Sequence, residues 1–239
     1  METSVYEIAP EIYRLSTFIP EAGIVFNQFL IDDEEPVLFH TGMKALFPHV
    51  LSAMERVMDP LRLRWITFGH YEADECGAMN SWLAVAPQST IAHGALGVMV
   101  SIRDQADRPP RSLADGEALE IGAKRFRYIA TPHVPHGWDA GVYYEETTHT
   151  LFAGDLFTCA GNGPEVTFSD IVGPAFDAED RFRFTALTPQ TEPTLRFLSG
   201  LDIDTMALMH APAFRGDASQ ALADLANGYA ERLAMSGGT

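Results

Sequence analysis

The segment TFGHYEADECGAM, residues 67–79, concentrates side chains that can bind a metal ion. His70, Glu72 and Asp74 alternate along it, and Glu75 follows directly. Residues i, i+2 and i+4 of an extended chain project to one side, so the three alternating side chains would converge if the loop stays extended. The alternative is a solvated acidic loop, because clustered charges usually lie at the surface. This segment alone leaves both interpretations open.

Three later positions carry the same chemistry. His136 lies in TPHVPHGWD after one strand-like run, Asp155 closes the apolar run TLFAGD, and His210 closes TMALMH. His40, at the end of PVLFH, is a weaker candidate of the same kind. Imidazole and carboxylate groups together suit iron and zinc. Their recurrence at four strand ends predicts a two-metal site, and the carboxylates supply negative charge to hold two cations.

The elements that must position these residues alternate between strands and helices. Of the 239 residues 46% are hydrophobic and 21% charged, as in a packed globular protein. We expect a single α/β domain over 1–239, with two βα halves of about 1–120 and 121–239 and the site along one sheet edge. The patterns predict a hairpin from 24–32 and 36–42, strands at 63–69 and 205–210, and helices over 45–58, 77–87, 188–202 and 217–234.

The overall charge excludes some classes of partner. A formal net charge of −17 argues against binding to nucleic acid or to an anionic membrane surface. Two cysteines are too few for a secreted disulfide scaffold, and we find neither a signal peptide nor a transmembrane run. The expected location is therefore the cytoplasm.

The order H-x-[HE]-x-D, His, Asp, His resembles the metal site of the metallo-β-lactamase superfold. Zinc hydrolases of that fold have H-x-H-x-D-H, whereas HYEADE has Glu72 in the second histidine position. H-x-E-x-D is similar to the flavodiiron proteins, and PHGWDAGVYY, LFAGDLF and MHAPAFRG look like their later ligand segments. The chain ends at Thr239 without a flavin-phosphate loop, so it looks more like the stand-alone oxygen-binding diiron proteins that lack the flavodoxin domain.

The resemblance implies a four-layer αββα sandwich and a pair of iron ions without flavin in this chain. By position, it implies that one iron is bound by His70, Glu72 and His136, the other by Asp74 and His210, and that Asp155 bridges them.

Three neighbouring residues keep alternative roles. Flavodiiron proteins usually have histidine where Glu75 stands, so Glu75 is a metal ligand, a base behind the ligands, or neither. His133 is an outer proton donor, an alternative ligand, or a histidine bonded to backbone. Asp139 either orients a ligand imidazole or belongs to a turn.

The resemblance implies a non-haem diiron protein that binds dioxygen. With a separate electron donor it would reduce dioxygen or nitric oxide; with a signalling partner it would act as a sensor without turnover. The alternative is a hydrolase with two zinc ions that activate a water molecule. Whether the chain is an enzyme stays open at this point, and a homodimer is one assembly to be tested.

Overall fold

Two seven-stranded sheets dominate the computed structural model, which describes residues 2–236. The first sheet comes from the N-terminal part of the chain and contains, in spatial order, β1 (Thr3–Ala9), β2 (Ile12–Ile19), β3 (Ile24–Ile31), β4 (Val37–Phe39), β5 (Trp65–Thr67), β6 (Thr90–Gly94) and β7 (Arg111–Leu113). The second has the spatial order β12-β14-β13-β11-β10-β9-β8. Its strands are β8 (Ala118–Glu120), β9 (Arg125–Ala130), β10 (Gly141–Glu145), β11 (Thr150–Phe152), β12 (Val166–Thr167), β13 (Thr205–Ala207) and β14 (Ala213–Phe214).

Each sheet changes from antiparallel to parallel pairing where the candidate ligands lie. Strands β1 to β4 pair antiparallel, and β4, β5 and β6 then pair parallel, with Phe39 opposite Thr67. In the second sheet β9, β10 and β11 pair antiparallel, whereas β11 and β13 run parallel. Parallel neighbours end at the same sheet edge, so the loops after β5, β11 and β13 can meet there.

Helices cover the outer face of each sheet. The helices are α1 (Phe47–Met54), α2 (Ala73–Cys76), α3 (Met79–Val85), α4 (Ala95–Gly97), α5 (Arg103–Gln105), α6 (Val172–Phe182), α7 (Thr191–Ser199) and α8 (Ala218–Ser236). A π-helical turn, Val98–Ile102, joins α4 to α5, and short 3₁₀ turns occupy Lys44–Leu46 and Pro60–Arg62. No helix within residues 2–236 is both long and apolar enough to span a bilayer.

Three buried clusters hold the layers together. One packs α1 and α3 on the first sheet, and a second packs α6, α7 and α8 on the other sheet. The third lies between the sheets and includes the rings of Phe29, Phe39, Phe126 and Phe152. The layer order is therefore helix, sheet, sheet, helix.

The local predictions agree with this architecture where the sequence periodicity is strong. The predicted hairpin is confirmed as β3 and β4, and the predicted C-terminal helix as α8, where Asp217 Oδ1 accepts a hydrogen bond from Gln220 N. Helix α6 was not predicted from the sequence. Gly173 and Pro174 in its first turn are poor helix formers, and its buried positions are small or charged. The sequence therefore shows no apolar pattern with helical spacing there.

Candidate metal centre

The segment that follows β5 leaves the sheet and becomes helical earlier than expected. Glu72 is extended, with φ −138° and ψ 155°, and α2 begins at Ala73. The extended conformation, on which the convergence of the three alternating side chains was conditional, therefore ends at Glu72. The carboxylate oxygen Oε2 of Glu72 lies 2.8 Å from His70 Nε2, as expected for residues i and i+2 of an extended chain. Asp74 and Glu75 leave in other directions because they lie on the first turn of the helix.

His136 reaches the same place from the loop after β9. Its Nε2 lies 2.9 Å from Glu72 Oε2, and its ring meets that of His70 edge to face, with centroids 4.5 Å apart. One oxygen of Glu72 thus lies between two imidazoles from different sheets. The side chain of His136 is half-buried, whereas His70 is buried.

Asp155, just beyond β11, divides its two oxygens between two groups of side chains. Oδ2 lies 3.8 Å from His70 Nε2 and 3.6 Å from His136 Nε2. Oδ1 lies 3.3 Å from His210 Nε2, which is itself 3.2 Å from Asp74 Oδ2. All six residues predicted as ligands therefore lie in one continuous cluster around Asp155.

Backbone contacts aim the ring of His210. Its Nδ1 lies 2.8 Å from Val25 O, an acceptor, so Nδ1 carries the hydrogen and Nε2 faces the two carboxylates. Asn27 on β3 strengthens the same link between the sheets, since its Nδ2 donates to Leu208 O and Ala211 O at 2.8 Å each. The loop after β13 is thus held against β3.

The cluster fits a metal ion on its donor chemistry and on its unpartnered atoms. Possible donor atoms of His70, Glu72, His136 and Asp155 all lie within 4.8 Å of one another. Buried Asp155 Oδ1 accepts no hydrogen bond of good geometry among the described residues, although His210 Nε2 lies 3.3 Å away. Burying a polar atom without a partner is costly, and a cation near Asp155 would satisfy its oxygen.

The carboxylates of the cluster raise the pKa of two imidazoles, those of His70 and His210. Burial lowers the pKa of His70, but Glu75, Glu72 and Asp155 outweigh it and raise the pKa to about 12. Burial also lowers the pKa of His210, and its carboxylate neighbours raise it to about 10.

The pKa of the Glu72 carboxyl is shifted in the opposite direction. Hydrogen bonds from His136 and His70 hold the pKa of Glu72 far below its usual range. Metal ligation requires neutral imidazoles, so a bound cation would displace protons from this cluster.

A cavity of about 190 Å³ opens onto the cluster. Glu72, Asp74, His136, Asp155 and His210 form its polar side. The remaining lining residues are Ile24, Thr158, Phe182 and Phe184. Sequence reasoning missed these four, because no motif marks them and α6, which brings Phe182 to the cavity, was not predicted.

The three residues with open roles lie outside this cluster. His133 is exposed, has φ 67°, and donates its backbone N–H to Gly137 O at 2.7 Å. Buried Asp139 accepts a hydrogen bond from Tyr71 N at 3.0 Å and lies 3.5 Å from His93 Nε2. It thus contacts the backbone after His70 and no imidazole of the cluster within hydrogen-bond distance.

Glu75 points away from the cavity into the protein. Its carboxylate is fully buried, and Oε2 accepts a hydrogen bond from His70 N at 2.7 Å. Oε1 lies 3.3 Å from His70 Nδ1 and 3.2 Å from His40 Nε2. Burial alone would raise the pKa of Glu75, but these two imidazoles hold it well below the usual range.

Comparison with known proteins identifies the family. A family model described as ODP family beta lactamase matches residues 24–186. The chain belongs to this family. This match and the layer order helix, sheet, sheet, helix confirm the metallo-β-lactamase-like fold that the resemblance predicts.

Several solved structures with related folds superpose on this chain. Rubredoxin oxygen:oxidoreductase from Desulfovibrio gigas superposes with a TM-score of 0.82 at 18% identity, over 94% of this chain and 62% of that chain. A fragment of putative diflavin flavoprotein A 5 from Nostoc sp. has a TM-score of 0.83 at 17% identity, over 100% and 99% of the two chains. The flavodiiron protein from Giardia intestinalis has a TM-score of 0.80 at 16% identity, over 97% and 60%.

Curated proteins with related sequences align with part of their length. The rubredoxin-oxygen oxidoreductase of Megalodesulfovibrio gigas is 26% identical over 137 residues, which is 56% of this chain and 34% of that protein. Type A flavoprotein fprA of Rhodobacter capsulatus is 26% identical over 231 residues, or 91% of this chain and 51% of that protein. This chain therefore spans a third to a half of the length of these relatives.

Proposed function

We propose that this chain holds two iron ions and binds dioxygen at them. The observation that carries the proposal is the split carboxylate of Asp155, with one oxygen facing His70 and His136 and the other facing His210. A carboxylate in this position can join two cations. The proposed ligands are His70, Glu72 and His136 for one ion and Asp74 and His210 for the other, with Asp155 shared.

The size and lining of the cavity favour a very small ligand. Its volume of about 190 Å³ is below the roughly 300–1,000 Å³ of sites for organic ligands. Ile24, Phe182 and Phe184 make one side apolar, which suits uncharged dioxygen. None of the described residues lining it is a lysine or arginine that could bind a phosphoryl substrate.

When bound and reduced, an iron pair supplies electrons to dioxygen or nitric oxide. The chain's own residues hold the imidazoles in place. Val25 O holds the ring of His210 through Nδ1, and Glu75 Oε1 lies 3.3 Å from Nδ1 of His70, so each ring turns Nε2 to the cluster. Carboxylate-rich ligation also stabilises the oxidised, more highly charged ions.

The partners of this site are part of the same proposal. Relatives named as rubredoxin-oxygen oxidoreductases support a separate electron-donor protein for turnover of dioxygen or nitric oxide. Without a donor, the same site would bind dioxygen and signal to a partner. A cytoplasmic location and a homodimer remain proposals as well.

Metal analysis after anaerobic purification tests this function. We expect about two iron ions per chain, and a visible absorption band when dioxygen is added to the reduced protein. Asp155→Ala should lose most of both ions, whereas Asp202→Asn, which changes an exposed aspartate beside His149, should keep both. A protein that retains zinc and turns over esters or phosphodiesters would contradict the proposal and favour the hydrolase.

A further inference from the structure

Glu75 occupies a place built for its carboxylate behind the metal centre. Two glycines border it. A Cβ added at Gly69 would lie 3.1 Å from Glu75 Oε2, and one at Gly154 would lie 3.5 Å from Oε1. These glycines directly precede His70 and Asp155. The carboxylate therefore fits between the two chain segments that deliver candidate ligands.

His40 closes this place from the other side. It is fully buried, has the uncommon φ of 65°, and its ring lies against that of Phe39, tilted by 31° with centroids 3.9 Å apart. Its Nδ1 lies 3.4 Å from Asn27 O, and its Nε2 lies 3.2 Å from Glu75 Oε1. A positive φ in a residue other than glycine marks a conformation that the surrounding structure must impose. Here it turns the imidazole towards Glu75.

Because Glu75 points away from the cavity, the two proposed metal positions have different numbers of candidate ligands. The first has His70, Glu72 and His136 in addition to the shared Asp155. The second has only Asp74 and His210 in addition to Asp155. Rotation of Glu75 towards the second position would remove the acceptor of the His70 N–H and separate the carboxylate from His40 Nε2.

We propose that Glu75 is a positioning residue for His70, held in place by His40, and that the second metal position consequently binds its ion more weakly than the first. This inference rests on the proposed two-metal function. It assigns to Glu75 a role in the affinity of the first ion and none in ligation of the second.

Single-site variants separate the two positions. Asp74→Ala leaves only the first position competent, and His136→Ala leaves mainly the second. Metal-free full-length protein is titrated anaerobically with Fe²⁺ alone, and the affinity is measured by calorimetry with and without Glu75→Gln in each background. The wild-type protein should show two binding phases, the tighter one being retained in Asp74→Ala.

Glu75→Gln should weaken binding about 10–100-fold in the Asp74→Ala background, the usual effect of removing a group that orients a metal-bound histidine. In the His136→Ala background it should change the affinity less than about twofold. A ligand role for Glu75 predicts the opposite pattern, and that result, or an equal loss in both backgrounds, would overturn the inference.

His40→Ala provides a second variant if Glu75→Gln does not fold. It should weaken Fe²⁺ binding in the Asp74→Ala background and leave the His136→Ala background unchanged. Failure of the wild-type protein to bind two ions would refute the two-metal function itself. Two bound ions with the reversed Glu75 pattern would refute only the positioning role.

Discussion

The two buried imidazoles of the cluster connect the charge state of single residues to metal binding. Nδ1 of His70 faces Glu75, and Nδ1 of His210 faces Val25 O. Nε2 of each ring faces carboxylates of the cluster. Their pKa values, raised to about 12 and about 10, mean that the metal-free protein holds protons there at neutral pH. Protons and cations therefore compete for the same nitrogens.

This competition predicts opposite effects of pH on the metal-free and the metal-loaded protein. A histidine whose pKa is higher in the folded state than in the unfolded chain stabilises the fold. This stabilisation is complete below the pKa of the unfolded chain, about 6.5. That stabilisation is lost as pH rises through about 10 for His210 and about 12 for His70. Metal affinity rises over the same range, so the increase in Tm on adding Fe²⁺ should be larger at pH 9 than at pH 6.5.

Thermal unfolding at several pH values checks this prediction. His210→Gln should reduce the pH dependence of the metal-free protein, whereas His149→Gln, at a half-exposed histidine beside Asp202, should not. An equal gain in Tm at pH 6.5 and pH 9 would show that metal binding does not displace protons from these imidazoles.

Glu75 also shows which properties of a single residue can be predicted from the sequence and which cannot. The candidate ligands could be named because each follows a recognisable strand or lies in one motif. The contact between Glu75 and His40 could not, because it depends on the parallel pairing of Phe39 with Thr67, which brings distant loops together. Local spacing contains no information about that pairing.

At the scale of elements, hydrogen bonds between the loop after β4 and α2 set the position of α2, which carries Asp74 and Glu75. Thr41 N donates to Glu75 O at 2.6 Å, and Thr41 Oγ1 donates to the same oxygen at 3.0 Å. Thr41 Oγ1 also accepts from Ala78 N at 3.2 Å, and Trp82 Nε1 donates to Thr41 O at 3.1 Å. These bonds fix α2 and α3 on the first sheet.

Thr41→Val should lower the free energy of unfolding by about 1–2 kcal/mol, because it removes buried hydrogen bonds while keeping the side-chain shape. Thr147→Val is the matched control. Its hydroxyl is exposed and makes one long contact, 3.4 Å to Ala123 O, so its effect should stay within about 0.5 kcal/mol. Urea unfolding measures both, and equal effects would mean that the hydrogen bonds of Thr41 contribute little.

The same element shows why the loop prediction failed. Alternation of His70, Glu72 and Asp74 fits an extended strand, but the bonds from Thr41 stabilise a helical turn at Ala73. Helix α8, in contrast, was predictable because its cap and its apolar positions all lie within one segment. At α2, tertiary contacts overrode the local pattern of alternation.

For the whole molecule, the aromatic cluster between the sheets couples the two halves. Phe152 is fully buried, and its ring centroid lies 4.9 Å from Phe126, 5.4 Å from Phe39 and 5.7 Å from Phe29. Rings from both sheets thus pack against each other. Neither sheet can lose its partner without exposing this surface.

Phe152→Ala should destabilise the protein by about 3–5 kcal/mol while keeping a single transition. Phe197→Ala, at an exposed residue of α7, should have a much smaller effect. Tryptophan fluorescence and circular dichroism should give coincident unfolding curves, since Trp65 and Trp82 lie in the first half and Trp138 in the second. Separate transitions would mean that the halves unfold independently.

The distribution of the cluster along the chain has a consequence for biosynthesis. Residue 70 leaves the ribosome long before residue 210, and at about 5–20 residues per second the interval is roughly 7–28 s. During that time the nascent chain carries an incomplete set of donors and an uncovered aromatic sheet face. The complete set of donors in the cluster therefore exists only after residue 210 has left the ribosome.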